Sequence, residues 1–320
     1  MSSHAGCNHD HAAAPKKVDL RPALVITGAV FFLEFAGGFW SGSLALLSDS
    51  LHVLFDAVAL GLAWAATVLA SRPATDRHSW GLHRSEILAA LINGVALILV
   101  SAGIFVEAVR RLMHPTDVHT GGMLVIALIG LVANAIVARQ LHGHDGDDLN
   151  MRGAYLHILG DLLASVAVIV GAVVIRYTGL TVVDPILSLG IGLLLLSGAG
   201  RLVRESLHIL MEGVPRGLSV EQIVAAVREV PGVKDLHKVH VWSLCSHIRA
   251  LAAHLTIDPA YSATAQQVID DVNIFLREKF NITHTTLQSE CNSCGAAGAI
   301  CTPVHPGDAV PAHTHAVTAA

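Results

Sequence analysis

Charged residues are scarce in this chain. Asp, Glu, Lys and Arg make up 14% of its 320 residues, against about a quarter in ordinary soluble domains. We therefore expect lipid to surround much of the chain. The apolar residues lie in blocks that approach the roughly 20 residues a helix needs to cross a bilayer. Six spans are predicted, at residues 23–41, 46–70, 87–109, 121–139, 154–176 and 182–203.

Several further absences narrow the class of protein. The spans lack the period-two alternation of barrel strands, which favours a polytopic α-helical membrane protein. No cleavage site ends the first span, and we expect nothing to be removed there. No basic run that would follow phosphates is present, which excludes nucleic acid as a partner. There is no phosphate-binding Gly-x-x-x-x-Gly-Lys-Ser/Thr loop and no His-Glu-x-x-His motif, so neither an ATP-driven motor nor a membrane metalloprotease is expected.

Positive charge is distributed unevenly among the short loops. Arg110, Arg111 and Arg176 lie on one side, while the larger group lies on the other: Lys16, Lys17, Arg21, Arg72, Arg77, Arg84, Arg139, Arg152, Arg201 and Arg204. Because cytoplasmic loops carry the excess of Lys and Arg, this pattern predicts that both termini are cytoplasmic. The short loops also favour a bacterial inner membrane.

The segment after the sixth span is typical of a soluble α+β domain. Ser219 and Gln222 form the spacing of a capping box, and Pro231 then ends the helix. Two strands, a second helix at residues 263–279 and a third strand at 283–289 are predicted to follow. The expected organisation is a His/Cys-containing segment at 1–22, a membrane domain at 23–205, a cytoplasmic domain at 206–295 and a His-containing tail at 296–320.

The same short motif occurs in two predicted spans. His52 precedes Asp56 by four residues in the second span, and His157 precedes Asp161 by four in the fifth. Four residues make about one helical turn, so each pair shares a helix face. Two imidazoles and two carboxylates form a ligand set suited to tetrahedral Zn²⁺. One such motif is equally well explained by an interhelical hydrogen bond, but four costly ionisable groups at membrane depth favour a metal path.

A second group of metal-binding residue types is expected in the cytoplasm. There are five cysteines, an odd number, in segments placed in that reducing compartment, which favours metal ligation over disulfides. Cys291 and Cys294 have the spacing of two thiolates on one zinc. The remaining candidates are His237, His254, His284, Glu290, Cys7 and His9. Exposed histidines without a metal are the alternative for each His, and we expect His240 and His247 to be structural. His78 and His83, in the loop before the third span, could bind a metal transiently, but Arg77, Arg84 and Glu86 favour a polar loop held by ion pairs.

These residues together resemble the cation diffusion facilitator family over nearly the whole chain. The resemblance is carried by residues 42–56, from Gly-Ser-Leu-Ala-Leu-Leu through His52 to Asp56, and by the stretch from His78 to Asn93. It is also carried by His157 with Asp161, by His237-Lys-Val-His-Val-Trp-Ser-Leu, and by Ala-His254-Leu. It implies a homodimeric zinc/proton antiporter with a ferredoxin-like cytoplasmic domain. It also implies that His52, Asp56, His157 and Asp161 carry zinc in preference to cadmium, and that His237, His254, His284 and Glu290 bind metal in the domain.

The function expected from the sequence is proton-coupled export of Zn²⁺, since His and buried carboxylates exchange protons for metal. A membrane zinc sensor, whose cytoplasmic His/Cys site is the main functional element, is the second hypothesis. An intramembrane metallohydrolase is disfavoured because no general base remains beside the four ligands. The short loop before the fifth span holds only His142 and His144, which gives it little capacity to collect metal.

Overall fold

The computed structural model describes residues 21–142 and 149–290. Within these residues six long helices come first, and each overlaps one of the six predicted spans: α1 (Arg21–Ser41), α2 (Leu44–Ala70), α3 (Ser85–Met113), α4 (Thr120–His142), α5 (Leu149–Thr178) and α6 (Val183–Leu210). Among the described residues, four stretches are long and apolar enough to cross a membrane. They are α2, α3, residues Leu159–Thr178 of α5, and α6, while α4 contributes the shorter apolar stretch Thr120–Ile136.

The outer surfaces of these helices are apolar. Each of the six leaves large hydrophobic side chains exposed, including Phe32, Trp40, Trp64, Leu99, Val106, Val125, Leu163 and Leu194. A water-soluble protein seldom exposes so much contiguous apolar surface. In a bilayer the same surface contacts acyl chains at no such cost, and the helical backbone satisfies its own hydrogen bonds.

Glycines allow α1 and α4 to pack closely. A Cβ atom built on Gly37 would clash with Cδ1 of Ile126, and one built on Gly130 would clash with Oε1 of Glu34. On α4, Gly122, Ile126 and Gly130 are spaced by four residues and therefore share one face. Small residues at such spacing let helix backbones approach in membranes, where dispersion contacts drive association.

A buried carboxylate holds several helix ends together. Asp184, at the start of α6, is fully buried and accepts hydrogen bonds from Ser43 Oγ at 2.6 Å and from the backbone N–H of Leu44 at 2.8 Å. It therefore caps the first turn of α2, whose N–H groups have no partner within the helix. Arg111 of α3 lies 3.7 Å from Asp184 and donates to the carbonyl of Gly42. Gly42 has a φ of +71°, which a residue with a side chain rarely adopts.

The chain divides into two compact units. Among the described residues, one is built from those up to Gly61 together with those in Ala96–Ala199, and the other from Leu62–Val95 together with those from Gly200 to Glu290. The second unit contains the sheet. The boundaries expected from the sequence, at residues 22, 205 and 295, stay a prediction.

The C-terminal domain has the predicted order of helix, strand, strand, helix and strand. Its elements are α7 (Val220–Val227), β1 (Val233–Ser243), β2 (Arg249–Ile257), α8 (Ala265–Phe280) and β3 (His284–Glu290), with a 3₁₀ turn at Pro259–Thr264. The strand order is β1-β2-β3, with β1 antiparallel and β3 parallel to β2. The parallel pair is possible because α8 provides the crossover.

One face of this sheet packs on the two helices. Ile223 and Val227 of α7, Val272 and Leu276 of α8, and alternate strand residues such as Leu255 form the core. Gly232, between α7 and β1, has a φ of +87°, and a Cβ there would lie 2.7 Å from Val268. The α+β sandwich predicted from the sequence is confirmed.

The predicted capping box at the start of α7 is not formed. Ser219 is the N-cap residue, but its side chain makes no capping hydrogen bond. Its hydroxyl instead donates to the carboxylate of Glu221, and this bond lowers the pKa of the exposed Glu221 side chain. Because the hydroxyl is engaged two residues along the chain, it does not reach the helix N–H groups.

Replacing Asp184 by Ala should destabilise the protein strongly. The change leaves the first N–H groups of α2 without their acceptor and removes the buried partner of Arg111. Breaking a buried pair of this kind costs about 3–5 kcal/mol. The measurement is the melting temperature of the detergent-solubilised chain. Asp117→Ala, a change at an exposed loop residue, is the control. Equal melting temperatures for the two variants would contradict the role assigned to Asp184.

Candidate metal sites

The paired motifs of α2 and α5 approach one another. Nε2 of His52 lies 3.7 Å from Oδ2 of Asp56 within α2, and 3.4 Å from Oδ1 of Asp161 on α5. Two nitrogen or oxygen ligands of a tetrahedral zinc are about 3.4 Å apart, given metal–ligand bonds of about 2.0–2.2 Å. The three side chains are partly buried. The spacing deduced within each helix is thus accompanied by a contact between helices.

The fourth residue of this group is placed only by its backbone. His157 lies on α5 four residues before Asp161, which is about one helical turn. Its side chain is outside the described residues. The backbone therefore puts His157 on the same helix face as Asp161, as the spacing predicts.

Two further carboxylates lie close to this group. Glu34 of α1 and Asp49 of α2 are 1% and 4% exposed, and both interact electrostatically with Asp161. Oε2 of Glu34 has no hydrogen-bond partner among the described residues. Asp49 lies three residues before His52, a spacing that leaves its role open, and the sequence did not single out Glu34. The signal available for Glu34 was a lone acidic residue inside the first apolar span, and intramembrane ionisable residues normally face an interior path.

A second group forms on the sheet of the C-terminal domain. His237 of β1 pairs directly with His254 of β2, and Glu290 of β3 pairs with Thr256, two residues beyond His254. Directly opposed residues, and residues two apart, project from the same face. Since Leu255 points into the helix-covered core, these three side chains lie on the opposite face.

The carboxylate of Glu290 bridges the two imidazoles. Oε1 lies 2.6 Å from Nδ1 of His254, and Oε2 lies 3.4 Å from Nε2 of His237. The ligand atoms of the three residues all lie within 4.8 Å of one another. His237 is 3% exposed. Two imidazole nitrogens and one carboxylate oxygen form a three-ligand set that leaves one position of a tetrahedral site open.

A β-bulge sets the direction of His237. The pairing of β1 and β2 shifts between His237 and His240, and Lys238 has a φ of +50°. The extra residue lets Leu236 and Val239 both face the core, while His237 faces the opposite side. Bulges commonly re-aim a side chain in this way.

His284 is not brought to this group. It lies at the first residue of β3 and pairs with Ala250, whereas Glu290 lies at the last residue. Six residues of strand separate them by about 20 Å. His284 is exposed, and its ring stacks edge-on against Trp80 with centroids 4.4 Å apart. The sequence placed His284 in a strand without fixing the strand register, which decides which end meets His254.

Other residues predicted for the site fall outside the described part of the chain. These are Cys7 and His9 near the start, and Cys291 and Cys294 directly after β3. Arg84, in the loop before α3, pairs with Glu212 at 2.8 Å, and Glu86, in the first turn of α3, accepts a hydrogen bond from Ser246 at 2.8 Å. Contacts with residues far along the chain therefore hold the end of this polar loop, which also contains His78 and His83. His240 and His247 are exposed.

Family models match both parts of the chain. A model described as the cation efflux transmembrane domain matches residues 20–211, and one described as the cation efflux protein, cytoplasmic domain, matches residues 215–291. The chain therefore belongs to the cation efflux family, the cation diffusion facilitators. It is a membrane protein with a C-terminal cytoplasmic domain, in a family of transporters rather than enzymes.

Several curated relatives are similar over most of their length. The metal cation efflux system protein CzcD of Cupriavidus metallidurans is 40% identical over 92% of this chain and 93% of its own. The cadmium, cobalt and zinc/H(+)-K(+) antiporter of Bacillus subtilis is 39% identical over 93% and 96%. The zinc transporter ZitB of Escherichia coli is 37% identical over 96% and 98%. A solved metal-bound C-terminal domain of the Cupriavidus CzcD transporter is 32% identical, with a TM-score of 0.21, over 23% of this chain and 99% of that one.

Proposed function

We propose that this protein exports Zn²⁺ from the cytoplasm in exchange for protons. The proposed transport ligands are His52, Asp56, His157 and Asp161. The observation that carries the proposal is the approach of His52 on α2 to Asp161 on α5 at 3.4 Å, between helices whose outer surfaces are apolar. Ionisable groups placed there cost free energy unless they serve a path through the membrane.

The chemistry of these side chains supports proton exchange. Zn²⁺ binds a neutral imidazole and an ionised carboxylate, so metal binding competes with protonation at each ligand. A rise in proton concentration on one side of the membrane therefore favours release of the metal on that side. Imidazole changes its charge near neutral pH, which matches the working range of such an exchange.

Glu34 and Asp49 add two buried carboxyl groups beside the four proposed ligands. Both are almost fully buried, and both interact with Asp161. Two additional carboxyl groups buried beside the proposed ligands supply further groups able to hold a proton. We infer that they support occupancy of the transport site and are not transport ligands themselves.

Zinc is the proposed principal substrate, with other divalent metals as secondary ones. The relatives are named for zinc, and for cadmium and cobalt as well. Imidazole nitrogen and carboxylate oxygen are both common ligands of zinc. The proposed setting is a bacterial inner membrane with both termini in the cytoplasm. A homodimer is supported by the name of the cytoplasmic-domain model, which refers to a dimer.

The group at His237, His254 and Glu290 is proposed as a second zinc site. The ligand atoms of these three residues lie close to one another, and Cys291 follows Glu290 directly in the sequence. We propose that thiolates of Cys291 and Cys294 complete it, and that Cys7 and His9 contribute from a second copy of the chain. This group also supports the second candidate function, a membrane zinc sensor, which the flux experiments below separate from a transporter.

Replacing Asp161 by Asn should abolish zinc transport. The substitution keeps the shape of the side chain but removes an anionic ligand of the proposed site. Zinc uptake into proteoliposomes should fall to the level of protein-free vesicles. Asp271→Asn, at an exposed residue of α8, should transport at the unaltered rate. Undiminished uptake by the Asp161 variant would overturn the assignment, and absence of uptake by the unaltered protein would favour the sensor.

Zinc uptake should depend on a pH gradient of the correct sign. Vesicles with an acidic interior should accumulate zinc faster than vesicles without a gradient, because outward proton flow can drive metal inward. A protonophore should return uptake to the rate without a gradient. The measurement is a fluorescent zinc indicator inside the vesicles. A rate that is the same for gradients of either sign would contradict proton exchange.

Removing a ligand of the cytoplasmic group should remove one bound zinc ion. His254→Ala and Glu290→Gln should each lower zinc affinity at that group by at least about a hundredfold, since loss of a direct ligand exceeds the 10–100-fold effect of losing an outer-shell partner. Equilibrium dialysis of the purified full-length chain measures the number bound. His284→Ala should bind as many ions as the unaltered protein. A loss of zinc in that variant would restore His284 to the group.

A further inference from the structure

A third cluster of metal-binding residue types lies at the turn between β1 and β2. Glu86 in the first turn of α3, Cys245 and His247 each bring one ligand atom within 4.8 Å of the other two. The sequence placed Glu86 in a polar loop network and His247 among structural histidines, and it gave Cys245 no role of its own. Glu86 lies 159 residues before Cys245 in the sequence, so their approach could not be inferred before the fold was known.

The turn that carries Cys245 and His247 is well defined. The backbone N–H of Leu244 donates to the carbonyl of Ile248 at 2.9 Å and closes the turn. Cys245 is 1% exposed, whereas His247 is exposed. The hydroxyl of Ser246 donates to Oε1 of Glu86 at 2.8 Å and so fixes the carboxylate beside the turn. A buried cysteine usually lies among apolar groups, but this thiol lies beside an imidazole and a carboxylate.

The separations fit a tetrahedral metal. Sγ of Cys245 lies 3.7 Å from Nε2 and 3.8 Å from Nδ1 of His247. With a Zn–S bond of about 2.3 Å and a Zn–N bond of about 2.0–2.1 Å, a sulfur and a nitrogen on one tetrahedral zinc are about 3.6 Å apart. A glutamate in the first turn of a helix is favourable without any metal. That role does not account for the thiol and the imidazole beside it.

A cavity adjoins the cluster. It has a volume of about 260 Å³ and is lined by Cys245, Ser246 and Ile87 among others. Its two arginines are paired, Arg216 with Glu205, which also lines the cavity, and Arg249 with the carbonyl of Phe280. There is room beside the thiol for water to complete a coordination sphere. Three protein ligands and an open position are typical of zinc sites that exchange their fourth ligand.

We propose that Glu86, Cys245 and His247 form a separate, exchangeable site for a borderline-soft divalent cation, Zn²⁺ first. The thiolate disfavours Mg²⁺ and Ca²⁺, which prefer oxygen ligands. The site is distinct from the group at His237, His254 and Glu290, because His254 lies about 20 Å along β2 from the turn. A bound ion fastens the β1–β2 turn to the first turn of α3. Binding here does not depend on the proposed transport activity.

Co²⁺ binding to a variant with a single thiol tests the proposal. The full-length chain is prepared with Cys7→Ser, Cys291→Ser, Cys294→Ser and Cys301→Ser, so that Cys245 is the only remaining thiol. A thiolate-to-cobalt charge-transfer band in the near ultraviolet then reports this site alone, since the other proposed sites hold only nitrogen and oxygen ligands in this background. Titration with Co²⁺ should produce the band, and Zn²⁺ should displace it.

Substitutions of each ligand complete the test. Cys245→Ser should eliminate the band. His247→Asn and Glu86→Gln should each weaken Co²⁺ binding by at least about tenfold, the lower end of the effect of losing a supporting group at a metal site. His247 is exposed, so its replacement leaves the fold intact. His240→Asn and Glu229→Gln, at exposed residues of the same domain, are matched controls and should titrate as the single-thiol parent. Absence of the band at saturating Co²⁺, or a band unaltered by both His247→Asn and Glu86→Gln, would overturn the proposal.

Discussion

The free-energy cost of ionisable side chains among apolar helices governs the arrangement of the membrane domain. Each such group must find a partner or a path, because lipid supplies no hydrogen bonds. Asp184 finds its partners in the N–H groups of α2 and in Arg111, and the result is a fastening of helix ends. His52, Asp56 and Asp161 approach one another with ligand-like separations, and the result is a place for a cation. The same cost thus produces a structural contact at one position and a candidate site at another.

The sequence predicted those features that depend on local periodicity. The six helices, the order of elements in the C-terminal domain and the shared faces of His52 with Asp56 and His157 with Asp161 follow from residue spacing within one element. The partners of Asp184 could not be predicted in this way, because Ser43 and Leu44 lie about 140 residues away in the chain and no local pattern connects them to Asp184. His284 shows the same limit. Its position in a strand was predictable, but the register of β3 against β2 is a tertiary property, and it places His284 and Glu290 at opposite ends.

The C-terminal domain separates its stability from its metal chemistry by using the two faces of one small sheet. The core face packs on α7 and α8, and the three candidate ligands occupy the other face. A domain of this size has little stability to spare, so polar residues on the core face would be costly. An ion bound at either proposed site, on the ligand face or at the turn beyond Ser243, would add free energy of binding to the folded state alone. Metal supply and domain rigidity are therefore expected to rise together.

The bulge at Lys238 divides β1 into two halves that differ in phase. Before the bulge the core residue is Leu236, and after it the core residues are Val239 and Val241. Without the extra residue, one half of the strand would turn its apolar side chains away from the helices. With it, both halves of β1 keep their apolar side chains on the core face. One inserted residue in a strand therefore frees His237 to face the opposite side without any change to the packing of the interior.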